Sequence, residues 1–317
     1  MRITLGRARA ADTPAISVAL MDPAVSSWLK TFPFPYDRDA VLAEEVETGL
    51  AGDFAILVNG GFAGLVLARP ELGCWVDPKF QGRGVGTRAS MLALSRHFAT
   101  GAETAHARCR ADNLAMRPVL ARLGFVPDEA ARSIPGELEL HRLSRKDFAT
   151  AQPFRLRTAR CRVEGARPED AEDLYDLASR RAVLCMQGPL HAGLGFESFA
   201  RMIHPFAGGL PFSARIMVED RAIGMIGIGP GPEALLYFCL APEVTGLGFA
   251  SEVVPAFCAE IFDRYGVQAI LGDVVPGNAA SVRLLERAGF AFEGPAMIHS
   301  AGRTPEMGMR YRLKNPE

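Results

Sequence analysis

The sequence holds little that would commit it to a charged partner, a metal or a membrane. Its 35 basic and 36 acidic residues leave a net charge of −1. That balance lacks the basic excess of a protein built around nucleic acid. Six cysteines stand at positions 74, 109, 161, 185, 239 and 258, and no two are spaced C-x-x-C. No histidine joins them at metal-ligand spacing, so no metal is expected. They are expected as reduced thiols of a cytoplasmic protein. No apolar run approaches the roughly 20 residues that span a bilayer. Met1-Arg2-Ile3-Thr4 does not read as the start of a signal peptide, and no membrane partner is expected. What remains is a globular composition, 49% apolar and 22% charged. At 317 residues the chain is long enough for two domains, each with its own core.

Two further absences narrow the meaning of one stretch, Asp77-Pro78-Lys79-Phe80-Gln81-Gly82-Arg83-Gly84-Val85-Gly86-Thr87. Its glycines run G-x-G-x-G, so the dinucleotide fingerprint G-x-G-x-x-G is not met. No Lys-Ser/Thr follows them, so it is not a Walker loop either. An apolar run at 72–76 leads in and a helical pattern at 88–97 leads out. The spacing therefore predicts a strand, a glycine-rich turn and a helix. Glycine lets backbone approach a ligand without Cβ clashes. The free N–H groups of a helix start converge on one spot, where the macrodipole favours an anion. Each hydrogen bond to a charged oxygen is worth roughly 1.5–3 kcal/mol, so such a loop could hold a pyrophosphate. It could equally do no more than turn the chain.

A second signal lies downstream. Asn113-Leu114-Ala115-Met116-Arg117-Pro118-Val119-Leu120-Ala121-Arg122-Leu123-Gly124-Phe125 reads as a short helix closed by Gly-Phe. Both signals then recur, the loop as Thr245-Gly246-Leu247-Gly248-Phe249-Ala250 and the helix from Asn278 to Gly289-Phe290. Gly246 stands 164 residues after Gly82, and Asn278 and Gly289 stand 165 after Asn113 and Gly124. A near-constant offset between two paired motifs points to an internal duplication.

With Gln81-x-x-Gly84-x-Gly86 followed by Asn113, a helix and Gly124-Phe125, the chain resembles the GNAT N-acetyltransferases over nearly its whole length. Asn278-x-x-Ser281 with Gly289-Phe290 is similar to the ribosomal-protein-alanine (RimJ/RimL-like) branch. The resemblance implies an α/β fold of two tandem GNAT-like domains, each with a mixed sheet whose two adjacent central strands splay apart. The first is expected over residues 1–147 with an intact acetyl-CoA loop. The second is expected over 155–315 with a degenerate loop, and a linker at 144–153 between them. The periodicity predicts helices at 13–21 (N-capped by Asp12), 39–50, 88–99 and 247–264, and a short one near 197–203. Strands are predicted at 2–8, 54–58, 61–69, 71–76, 104–110, 137–143, 155–163, 213–218, 223–229, 234–240, 269–275, 296–299 and 307–313. A proline-rich loop is predicted at 32–36.

The chemistry implied is acetyl transfer from acetyl-CoA to a primary amine in a ternary complex. The amine must lose a proton, the thioester oxyanion must be stabilised, and the thiolate must be protonated. By resemblance, the backbone of Cys74, Trp75 and Val76 serves pantetheine and oxyanion. Gln81, Gly82, Arg83, Gly84, Val85, Gly86 and Thr87 hold the pyrophosphate, and Asn113 lies on the pantetheine side. Glu71 is the first candidate for the base, against the reading of an exposed strand-end glutamate. His97, His106 and His141 read as surface or strand-end residues. Many relatives carry a Tyr acid seven residues after the Asn; here Leu120 and Leu285 stand there, and Met116 takes the Ser position of the first half. Cys74 and Cys109 read as core thiols rather than acetyl carriers. In the second half Thr245, Leu247 and Leu235 replace Gln81, Arg83 and Glu71. The acceptor is left open between a small amine and a protein N-terminus, with contacts sought at 32–36 and 178–211. The chain is expected as a monomer with pseudo-dimeric domains or as a homodimer. A reading from another class is an acyl-CoA-binding sensor or scaffold without turnover.

Overall fold

The computed structural model describes residues 1–8, 10–28, 54–128, 138–180, 195–298 and 305–316. The expected loop at 32–36, the helix at 39–50, Cys185 and most of 178–194 lie outside them, as do residues 137 and 299. The chain divides into two compact units, Met1–Gln152 and Pro153–Glu317.

The first unit runs β1 (Ile3–Arg7), α1 (Thr13–Leu20), α2 (Pro23–Ser26), β2 (Phe54–Val58), β3 (Gly61–Ala68), β4 (Glu71–Val76), α3 (Val85–Ala99), β5 (Thr104–Arg110), α4 (Met116–Leu123), β6 (Val126–Pro127), β7 (Leu138–Ser144) and α5 (Arg145–Ala151). Its sheet order is β1-β2-β3-β4-β5-β7-β6. The β4–β5 pair alone is parallel, and α3 is the crossover that a parallel pair requires. Alternation sends Leu72, Cys74 and Val76 to one face, packed with Leu92, Phe98, Ala107 and Cys109. Trp75 goes to the other, beside Ile16, Leu20, Val25 and Leu65.

Three expectations are corrected in this unit. Asp12 sits inside a 3-10 turn, Ala10–Asp12, and makes no capping hydrogen bond. The helical backbone is already under way there, so Asp12 cannot take the extended cap geometry. Helix α3 starts at Val85, not residue 88, because Gly84 takes a left-handed φ of 77° and turns the chain directly into helical backbone. The stretch read as a linker is mostly helix α5. Ser144 caps it by accepting from the Asp147 N–H at 3.1 Å, and Phe148 is buried in the core of the first unit. The polar residues that suggested a linker cover only its outer side.

The second unit runs β8 (Arg155–Arg157), β9 (Arg162–Gly165), α6 (Ala171–Ala178), α7 (Phe196–Met202), β10 (Phe212–Val218), β11 (Arg221–Ile228), β12 (Glu233–Leu240), α8 (Phe249–Tyr265), β13 (Ala269–Val274), α9 (Ala279–Arg287), β14 (Ala291–Ile298) and β15 (Glu306–Lys314). The sheet order is β14-β15-β13-β12-β11-β10-β9-β8, and only β12–β13 is parallel. The single strand expected at 155–163 is a hairpin instead. Thr158 closes it, its N–H donating to the Cys161 carbonyl at 2.9 Å and its hydroxyl accepting from the Cys161 N–H at 3.1 Å. Strand β14 begins at Ala291, earlier than the 296 predicted, because a bulge between Phe292 and Gly294 carries its pairing with β15 past Pro295.

Candidate active site

Strands β4 and β5 share only two rungs, Glu71–His106 and Leu72–Ala107. Beyond Leu72 they part, so the edge of β4 from Gly73 to Val76 has no strand beside it. The expected splay is present. Paired residues point to the same face. Glu71 and His106 therefore share the face of Trp75, while Leu72 and Ala107 share the core face under α3. Arg108 and Arg110 lie on the Glu71 face as well. The Arg108 guanidinium is 3.3 Å from the Glu71 carboxylate, and Arg110 stacks over Trp28 at 5.7 Å.

The wedge leads into the loop. The Gln81 side-chain amide donates to the Val76 carbonyl at 2.8 Å and ties the loop to the strand end. Asp77 steadies the turn by accepting from the Lys79 N–H at 3.0 Å. From Gly82 to Thr87 the backbone N–H groups have no acceptor; the first helical donor is Arg88, to the Gly84 carbonyl at 3.0 Å. A Cβ at Gly82 or Gly84 would meet nothing within 4 Å. The loop is thus an open cradle of unpaired donors at a helix start, the arrangement that binds anions. Arg83 is exposed beside it, Val85 turns its side chain into the core, and Gly86 and Thr87 form the first turn of α3.

Asn113 spends its side-chain oxygen on the Met116 N–H at 3.0 Å, opening α4. Gly124 closes that helix at φ 94°, and the Phe125 N–H donates back to the Leu120 carbonyl at 3.0 Å. This is a glycine C-cap. In the second unit Asn278 accepts from the Ser281 N–H at 3.0 Å. Local capping thus accounts for the recurring Asn and Gly-Phe in both halves.

The family of the Acetyltransferase (GNAT) domain matches residues 2–126 and 160–291. The chain belongs to the GNAT acetyltransferase family. No curated protein sequence matches it. Among solved structures, a GNAT-family acetyltransferase from Bacillus anthracis is similar at 17% identity, covering 52% of this chain and 100% of that one, with a TM-score of 0.45. Mycobacterium smegmatis RimJ, solved with CoA-disulfide, is 18% identical over 52% of this chain and 89% of its own, with a TM-score of 0.43. A Vibrio cholerae spermidine N-acetyltransferase, solved with CoA and spermine, is 18% identical over 50% of this chain and 96% of its own, with a TM-score of 0.43.

The two GNAT loops differ in charge rather than in backbone. Gly248 takes φ 84°, close to that of Gly84, and β12 and β13 part after Leu236, the counterpart of Leu72. Yet Glu252 stands where the first unit has Arg88. Its carboxylate accepts from the Arg160 backbone N–H at 2.7 Å and from the Arg160 guanidinium at 2.8 Å. That guanidinium also donates to the Leu247 carbonyl at 3.1 Å and stacks on Phe249 at 4.4 Å. Arg160 therefore lies across the second loop. The hydrogen bond from Thr158, then the bonds from Arg160, hold the Glu252 carboxyl at about 2, against desolvation. One rung before the second wedge opens, the counterpart of Glu71–His106 is Leu235–Leu271, apolar on both sides.

Other residues singled out in the sequence fall as follows. Leu120 and Leu285 are core residues, so no hydroxyl occupies the usual GNAT acid position. Burial pushes the Cys74 thiol up to about 11, and the Ser90 hydroxyl offsets only part of that. Burial raises Cys109 too. Both are protonated thiols at neutral pH, unsuited to carrying acetyl. The five cysteines among the described residues are free. Among those residues no cluster fit for a metal is present, and no helix is long and apolar enough to cross a membrane. His97 bonds the Thr104 carbonyl at 2.8 Å. His141 is buried, against the surface or strand-end reading, because its rung with Ala107 turns it to the core face. His106 stands one rung before the wedge opens, opposite Glu71, which sequence reasoning missed. The contrast of Arg88 with Glu252 could have been found by laying the halves over one another at the 164-residue offset.

Proposed function

We propose that the chain is an acetyl-CoA-dependent N-acetyltransferase whose first unit alone binds acetyl-CoA and transfers the acetyl group directly to a primary amine. The observation that carries this is the charge difference between two loops of like backbone. In the first, unpaired amides stand beside Arg83 and Arg88. In the second, the Glu252 carboxylate stands on the first turn of the helix, paired with Arg160, which crosses the loop. A pyrophosphate there would have to displace that ion pair and face Glu252. The second GNAT domain then serves as a structural half.

In the first unit the cradle from Gly82 to Thr87 holds the pyrophosphate, steadied by Gln81 and assisted by Arg83. Pantetheine runs along the free edge of β4 at Cys74, Trp75 and Val76, with Asn113 on its far side. The thioester oxygen takes a backbone donor of that edge. The amine approaches on the Trp75 face, where Glu71 and His106 stand one rung before the wedge opens. With Leu120 in the acid position, the leaving thiolate takes its proton from solvent or from the amine itself.

Calorimetric titration with acetyl-CoA, followed by CoA release against free-N-terminal peptides and diamines, tests the reading. One site per chain with turnover on an amine is expected. Two equivalent sites would refute the division between units. Binding with no turnover on any amine would favour the acyl-CoA sensor, for which the buried Leu120 and Leu285 speak.

A further inference from the structure

His106 sits one rung before β4 and β5 part, directly opposite Glu71 and on the acceptor face. Its main chain is fixed, the N–H donating to the Pro70 carbonyl at 3.0 Å. Its side chain is half-buried, and Nδ1 is a buried atom with no hydrogen-bond partner. A buried imidazole nitrogen left unpaired is destabilising, and such exceptions call for a reason. His141 offers the contrast. Its Nε2 is also an orphan, yet it is turned to the other face, only 6% exposed and 3.7 Å from Glu139. It is closed off on the core face, whereas His106 is half-buried on the face of Trp75.

The charged groups around His106 are few. Glu71 faces it from β4, Arg108 is its same-face neighbour on β5, and Arg142 is its rung partner on β7. Arg108 holds the Glu71 carboxylate in an ion pair at 3.3 Å. An imidazole beside that carboxylate is the group left without a partner. In the second unit the same rung is Leu235–Leu271, so the half whose loop is blocked has also lost both polar residues here.

We infer that His106, rather than Glu71, is the general base of the transfer, with Glu71 as the carboxylate that supports its charged form. This rests on the proposed acetyl-CoA site in the first unit. The substrate ammonium gives one proton to the His106 imidazole. The freed nitrogen lone pair then attacks the thioester carbonyl, forming the C–N bond. The tetrahedral intermediate collapses, the C–S bond breaks, and the second nitrogen proton ends on the CoA thiol. The imidazolium returns its proton to water. Glu71, already bonded to Arg108, faces the imidazolium across the rung as its nearest carboxylate partner in register.

The test is the pH dependence of kcat/KM for wild type, H106Q and E71Q, with acetyl-CoA and whichever peptide or diamine the wild type turns over. H106Q is expected to lose about 10²–10⁴ in kcat/KM, the usual worth of a positioned base. It should keep acetyl-CoA affinity by calorimetry. Its rate should rise tenfold per pH unit with the free amine, without the earlier levelling-off that a titrating base gives the wild type. E71Q is expected to lose less and to keep the pH dependence of the wild type. H106A should regain rate on adding imidazole, which separates a missing base from a disturbed fold. A fully active H106Q that levels off as the wild type does would overturn the inference alone, as would an E71Q that loses the levelling-off while H106Q keeps it. A wild type that binds acetyl-CoA and acetylates nothing would overturn this inference together with the transferase reading beneath it.

Discussion

Replacing Gly84 by Glu puts the loop reading at greatest risk. Gly84 sits at φ 77°, a left-handed conformation that costs an L-residue about 1–2 kcal/mol. No atom lies within 4 Å of the added Cβ, so crowding adds nothing. At roughly 2–4 °C per kcal/mol for a domain of this size, Tm should fall by about 2–8 °C and the fold should survive. The side chain, however, projects into the space above the unpaired amides. Losing two hydrogen bonds to phosphate oxygens, at about 1.5–3 kcal/mol each, removes about 3–6 kcal/mol of binding. That is a Kd raised roughly 10²–10⁴-fold, before any repulsion between carboxylate and phosphate. Gly84→Ala carries the same backbone cost without the charge, so it should show the Tm fall with a smaller loss of affinity. Gly248→Glu, at φ 84°, should match the Tm fall and leave acetyl-CoA affinity unchanged. Calorimetry on the three variants decides. If Gly248→Glu abolishes binding while Gly84→Glu keeps it, the assignment of the cofactor to the first unit is wrong.

Other consequences can be measured independently. Glu252, held at about 2, contributes stability that is fully present above its unfolded value of 4.5 and lost as pH falls toward 2; Glu252→Gln should therefore flatten the acid limb of a Tm-against-pH curve. An unchanged limb would show that the ion pair across the second loop is not made in solution. Cys74→Ala should keep kcat/KM within a few-fold, because a thiol pushed up to about 11 does not act as an acetyl carrier; a trapped acetyl-thioester at Cys74 by mass spectrometry would contradict this. Phe148→Ala should cost about 3–5 kcal/mol, the range for emptying a buried aromatic site. A change under 1 kcal/mol in chemical denaturation would return residues 145–151 to the role of a linker.

Much of this protein is determined by short-range sequence alone. The glycine-rich loop, the Asn caps and the Gly-Phe helix ends are local devices, each set by φ preferences and hydrogen bonds within a few residues. Their recurrence at an offset of 164 or 165 residues therefore announces the doubled fold without any tertiary information. The strands flanking the loop are legible for the same reason, since alternation is local. The site's polarity is not local. The rung that sets His106 against Glu71 joins strands 35 residues apart in sequence, and only their parallel register decides it. Arg160 reaches Glu252 across 92 residues, by way of a hairpin that sequence periodicity reads as one strand. Helix α5 is read as a linker because Phe148 declares its burial only once the sheet of the first unit is there to receive it. Local chemistry names the family and locates the cradle; which cradle is open, and which base stands at the wedge, depend on contacts that exist only when distant strands are brought into register.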